Sequence, residues 1–109
     1  MLRVLTVSVF VVSAGIGNAQ GMGEETCDTT AGIVADAQVM RAEGDTETRT
    51  IRKLKRNYKE LGENYAEQVI PLLTNFVFMQ PEAAMEQDLA AFWKQTCLTT
   101  DLSSVLPSQ

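Results

Sequence analysis

The chain of 109 residues contains no histidine. That absence removes the commonest general base, the commonest metal ligand and the only side chain that normally titrates near neutral pH. Nucleophilic catalysis needs a serine, cysteine or threonine beside a group that takes its proton. Without histidine only a Ser–Lys arrangement is left, and no motif points to one. Cysteine is nearly absent as well: the two present, Cys27 and Cys97, are far apart, so neither a Cys-x-x-Cys redox pair nor a Cys-x-x-Cys-His haem attachment exists. Metal chemistry is reduced to hard-cation carboxylate sites, and Glu82, Glu86 and Asp88 lack the loop spacing of a calcium site. Two carboxylates acting on a glycosidic bond would need a deep cleft, for which a small bundle has no room. No catalytic, cofactor or metal residue is assigned, and the expectation is a protein that is not an enzyme.

Long apolar runs are also scarce beyond the N-terminus. The most apolar later stretch, Tyr65 to Met79, is interrupted by Glu67, Gln68, Pro71 and Asn75, whereas a membrane span takes about 20 apolar residues. The N-terminus differs. Arg3, an apolar run from Val4 to Ile16, and the small residues around Gly17-Asn18-Ala19 make a secretory signal peptide over residues 1–19, with cleavage after Ala19. A membrane anchor would need a longer run, and a lipoprotein would need small residues just ahead of Cys27 and a shorter distance to it. The mature chain is then one domain of about 90 residues, periplasmic or secreted, with no integral membrane segment.

A domain of that size buries a modest core and usually needs a covalent or metal staple. Cys27 stands just ahead of the first helical pattern and Cys97 in the last turn of the final one. In an oxidising compartment they are expected to pair and tie the two ends of the fold together.

Between the cysteines the apolar spacing is helical throughout, with no strand-like alternation and no internal repeat. After a flexible lead-in at 20–27, a first helix is predicted from Asp28 or Thr29, with Ile33, Val34, Ala37 and Met40 on its apolar side and a stop at Gly44. Asp45 or Thr46 caps a second helix with Ile51, Leu54, Tyr58 and Leu61 in a narrow stripe. Asn64 and Glu67 match a capping box for a third helix. Its centre carries Tyr65, Val69, Leu72, Leu73 and Phe76 on one face and Ala66, Ile70 and Val77 on the next. Apolar nearly all round, it is predicted to be the buried centre of the molecule, with Pro71 either kinking it or marking a start nearer Val69. Pro81 is placed at the first position of a fourth helix whose buried face is Met85, Leu89, Phe92, Trp93 and Thr96. The predicted fold is all-α: four short helices over 28–97, stapled by one disulfide, then a flexible tail at 98–109.

Charge is strongly segregated. The net charge is −5, yet Arg49, Arg52, Lys53, Lys55, Arg56 and Lys59 all fall on one side of the second helix. They leave only Arg41 and Lys94 in the mature chain to set against fourteen acidic residues. Overall acidity argues against nucleic acid as a partner. The basic face, with Arg49, Arg52, Lys53, Arg56 and Lys59 as candidate binding residues, suits anionic lipid head groups or an acidic protein. The plainer alternative is a solvated face paired with Glu43, Glu47, Glu60 and Glu63 or with other acidic neighbours.

Cys27, then Val39-Met40-Arg41 and Gly44, Tyr65 and Phe76 in one helix, and Phe92 followed by Cys97 form a pattern that resembles small exported helical proteins of bacteria with two terminal cysteines. That group has no assigned activity, so the resemblance implies the fold and the disulfide and transfers no site. The expected role is that of a small binding or accessory protein acting on an envelope component or a protein partner. An acid-stress holdase and an inhibitor or immunity-type protein are the alternatives.

Overall fold

The computed structural model describes residues 23–99; the segment 1–19 expected to be a signal peptide and most of the expected tail lie outside them. Four α-helices occupy this region: α1 (Glu24–Ala42), α2 (Glu47–Asn57), α3 (Ile70–Met79) and α4 (Leu89–Thr99). There is no strand among the described residues, and one disulfide joins Cys27 to Cys97. The fold is a small all-α bundle, as its periodicity predicts.

The hub is α1, not the helix around Leu73. It packs against α4 most extensively and also against α3 and α2. Its buried positions, Thr26, Cys27, Thr30, Ala31, Ile33, Val34 and Ala37, are mostly small, so neighbouring helices approach closely on several sides. Hydrophobicity alone undervalues such a helix, because alanine, threonine and cysteine add little to it. α3 is apolar nearly all round but is not covered all round. Its buried face is Ile70, Leu73, Thr74 and Val77, while Leu72 and Met79 face solvent and Phe76 is half-buried.

Helix directions alternate along the chain. Cys27 meets Cys97, Thr30 meets Trp93, and Gln38 meets Gln87 and Leu89, so α4 runs antiparallel to α1. Tyr58 at the end of α2 reaches back to Asp36 in mid-α1, and Arg41 near the end of α1 reaches the end of α3 at Val77 and Gln80. This is an up-down-up-down arrangement with short connections.

The turns follow from local chemistry. α1 stops in a Schellman turn: Gly44 takes φ of 98°, its N–H donates to Arg41 O, and Asp45 N–H donates to Met40 O. Thr46 then caps α2, its side chain accepting from Arg49 N–H at 3.1 Å. α2 ends at Tyr58, a 3-10 turn covers Lys59–Leu61, and Gly62 with φ of 98° breaks the chain.

Four boundaries differ from the predicted ones. α1 begins at Glu24, so Glu24–Cys27, assigned to a flexible lead-in, is helical; Gly23 supplies no side-chain cap, but Glu24 and Glu25 suit the positive end of the helix. The Asn64 capping box does not form, because Asn64 is already helical at φ −61° and ψ −42° and its side chain accepts no cap bond. Pro71, by contrast, marks the start of α3 near Val69, the second of its two expected roles, and is preceded by a π-helical turn over Tyr65–Val69 in which Ile70 N–H donates to Tyr65 O. The wider turn accommodates a ring that has no N–H to give and would clash with the carbonyl four residues back. Finally, Pro81 precedes a separate 3-10 segment, Glu82–Glu86, and α4 starts only at Leu89. Asp88 is its cap, with Oδ1 accepting from Ala91 N–H at 3.0 Å. At the other end α4 extends to Thr99, so Leu98 and Thr99 belong to the helix and not to the tail.

Candidate basic face and the contacts around it

The structure divides the six cations of α2 and its C-terminal turn into two groups. Asp45, in the turn before the helix, takes Lys53 Nζ at 2.8 Å and Arg49 Nη1 at 3.7 Å. The Asp45 side chain is only 11% exposed, so these two predicted site residues are held locally and partly neutralised. Arg52, Lys55, Arg56 and Lys59 enter no ion pair among the described residues. Arg52, Lys55 and Arg56 stand at i, i+3 and i+4, a single face of α2, Lys59 follows in the 3-10 turn past its end, and all but half-buried Lys55 are exposed. Of the acids expected to neutralise the face, the neighbouring Asp45 does so for Lys53 and Arg49, while the four glutamates do not. Glu43, Glu60 and Glu63 pair with none of these cations, and Glu47 instead accepts from Asn75 Nδ2 at 3.3 Å.

The opposite side of α2 holds this face in place. Leu54 and Thr50 are completely buried, with Ile51 and Tyr58 packed against the core. Tyr58 donates its hydroxyl to Asp36 Oδ2 at 2.6 Å. Burial first, then the hydrogen bond and the negative charge of Asp36, push its pKa well above the ordinary tyrosine value. Burial also raises Tyr65. At the far end of the molecule Lys94 pairs with Asp28 at 2.6 Å, and that hydrogen bond raises the lysine pKa.

Three polar side chains have structural roles that spacing does not announce. Gln38 donates to the carbonyls of Met85 (2.9 Å) and Gln87 (2.7 Å) and accepts from Leu89 N–H at 3.3 Å, closing the backbone where the 3-10 segment meets α4. Arg41 Nη1 donates to Val77 O and Gln80 O, both at 2.8 Å, satisfying the C-terminus of α3, and its guanidinium lies 5.6 Å from the centre of the Phe78 ring. Thr30 accepts from Trp93 Nε1 at 2.7 Å while donating to Thr26 O. Each partner lies at least 36 residues away in the chain or inside a fully buried contact, beyond any local pattern.

Of the aromatic pair predicted to be core, Trp93 is buried but Phe92 is 60% exposed. Adjacent residues on a helix stand about 100° apart, and only one of them faces α1. Phe92 stacks on Phe76 at 6.4 Å between ring centres, beside a shallow depression of about 270 Å³ lined by Pro81, Ala84, Leu89 and Phe92 among others. No group of three or more potential metal-ligating residues occurs among the described residues, and no described helix is long and apolar enough to cross a membrane.

Fold and surface together define a small, disulfide-closed, all-α protein with a charge-segregated surface. The chain matches no protein-family model, no curated protein and no solved structure at a significant level; its site is therefore read from its own geometry.

Proposed function

We propose that this is a small exported binding protein that holds an anionic surface of the bacterial envelope through α2. The observation behind the reading is the set of cations left unpaired at α2: Arg52, Lys55 and Arg56 on one helical face, with Lys59 in the turn that follows. Unpaired surface cations lose little water when they meet lipid phosphates, and each contributes about 1 kcal/mol near an anionic membrane. The acidic remainder of the molecule is repelled by the same membrane, which orients the protein with α2 towards it. Export fits the disulfide, since such bonds persist in oxidising compartments, and the periplasm is the proposed location.

The test is binding of the mature, oxidised chain to vesicles. Vesicles with anionic lipid should retain the protein and neutral vesicles should not, and rising salt should release it as the Debye length shrinks from about 10 Å at 0.1 M to about 3 Å at 1 M. The triple substitution R52E/K55E/R56E should abolish retention, whereas R49E should weaken it less, because Arg49 is already engaged by Asp45. Equal retention on neutral vesicles, or no effect of the triple substitution, would rule the reading out.

A further inference from the structure

The opposite chemistry occurs at the junction of the 3-10 segment and α4. A three-residue period aligns Pro81, Ala84 and Gln87 along one edge of the depression, with Leu89 and exposed Phe92 completing it. Just before it Met79 is 72% exposed. At about 270 Å³ and open to solvent, this groove falls below the roughly 300–1,000 Å³ of a small-molecule site but admits individual side chains. Its surroundings are predominantly acidic. From Ile70 to Trp93 there is no lysine or arginine, and the charged residues are Glu82, Glu86 and Asp88. All three are exposed, and none is ion-paired among the described residues. The nearby Arg41, whose Nη1 donates to the carbonyls of Val77 and Gln80, keeps its charge and sets one cation against these three carboxylates, leaving the surroundings net negative.

We propose that this apolar groove docks a basic, amphipathic segment of a partner protein, with an apolar side chain set against Phe92 and Leu89 and flanking lysine or arginine drawn by Asp88, which lines the groove, and by exposed Glu82 and Glu86 on the same short segment. Charge complementarity selects this occupant. An apolar segment flanked by acids is repelled, and a fully charged basic segment leaves the exposed ring of Phe92 uncovered. The apolar contact supplies affinity and the carboxylates supply selection and a faster encounter. With α2, the protein then has two faces of opposite preference.

The chain contains its own reporter. Trp93, the one tryptophan, lies 5.5 Å from Phe76, which stacks on Phe92. Titrating the mature oxidised protein with a short peptide of alternating leucine and lysine should change Trp93 fluorescence saturably. Peptides of alternating serine and lysine, or leucine and glutamate, should bind at least about tenfold more weakly. E82K/E86K changes two exposed residues with no bonded partner, and F92S changes an exposed ring; each should weaken the leucine–lysine peptide by about tenfold or more with the helical circular dichroism unchanged. R52E/K55E, on α2, should not weaken it. Equal binding of the serine–lysine peptide would reduce the effect to bulk charge and overturn the proposal, as would full binding by E82K/E86K. Concentration-dependent dimerisation abolished by F92S would assign the groove to a second copy of this chain and overturn it equally.

Discussion

Thr50 is completely buried and its hydroxyl has no hydrogen-bond partner. An unpaired buried hydroxyl costs about 1–3 kcal/mol, so T50V, which keeps the shape and deletes the polar atom, should stabilise by about 1 kcal/mol in urea denaturation. T50S, which keeps the hydroxyl and loses a methyl, should destabilise. Thr30 is the contrary case. Its hydroxyl accepts from buried Trp93 Nε1 and donates to Thr26 O, so T30V of the same shape should cost about 1–3 kcal/mol by leaving the indole N–H unpaired. Two buried threonines thus respond to one substitution with opposite signs, and nothing in their sequence neighbourhoods separates them. Tyr58 belongs to this scale too. Its folded-state pKa is raised above the unfolded value of about 10. The stability linked to its neutral form is therefore fully present below about pH 10 and is lost as pH climbs through the folded value. The loss of stability above pH 10 should be shallower in Y58F, by denaturant midpoints measured across the alkaline range.

At the scale of the element, α3 separates hydrophobicity from burial. Leu73 is completely buried and Leu72 is 39% exposed, although they are adjacent and identical in kind. L73A should cost about 2–5 kcal/mol through lost transfer energy and a residual cavity. L72A should stay near about half a kcal/mol, as surface changes do. Similar losses at both would mean that α3 is covered on all sides. The periodicity of α1 and α2, the stop of α1 at Gly44 and a cap for α2 at Asp45 or Thr46 were legible because local chemistry decides them. The start of α4 was not. Met85 and Leu89 have helical spacing, but Gln38, from α1, bonds the backbone at Met85, Gln87 and Leu89 and holds it in a bend before Asp88 caps the helix. The basic side of α2 was legible as a face; its division was not, because the pairing of Asp45 with Lys53 rather than with solvent depends on how the turn closes.

At the scale of the whole molecule, the disulfide closes a 70-residue separation between the first turn of α1 and the last turn of α4. Cross-linking so long a loop stabilises by about 4 kcal/mol in the chain-entropy model. The intact mass should be lower than the reduced mass by two hydrogens, and C27S or C97S should destabilise by about 2–5 kcal/mol. The same antiparallel α1–α4 contact also holds Thr30–Trp93 and Asp28–Lys94, so loosening it should raise the accessibility of Trp93 to quenchers before α2 and α3 respond. By itself the sequence determined the all-α class, the absence of histidine chemistry, the segregation of charge and the residues of the staple, since periodicity, composition and spacing along the chain are local properties. Only the tertiary structure decided that α1 is the hub, that Phe92 and Leu72 face solvent, and which cations Asp45 removes from the basic face. Those outcomes depend on which helix covers which, and coverage is set by the summed packing of all four helices rather than by the hydrophobicity of any one.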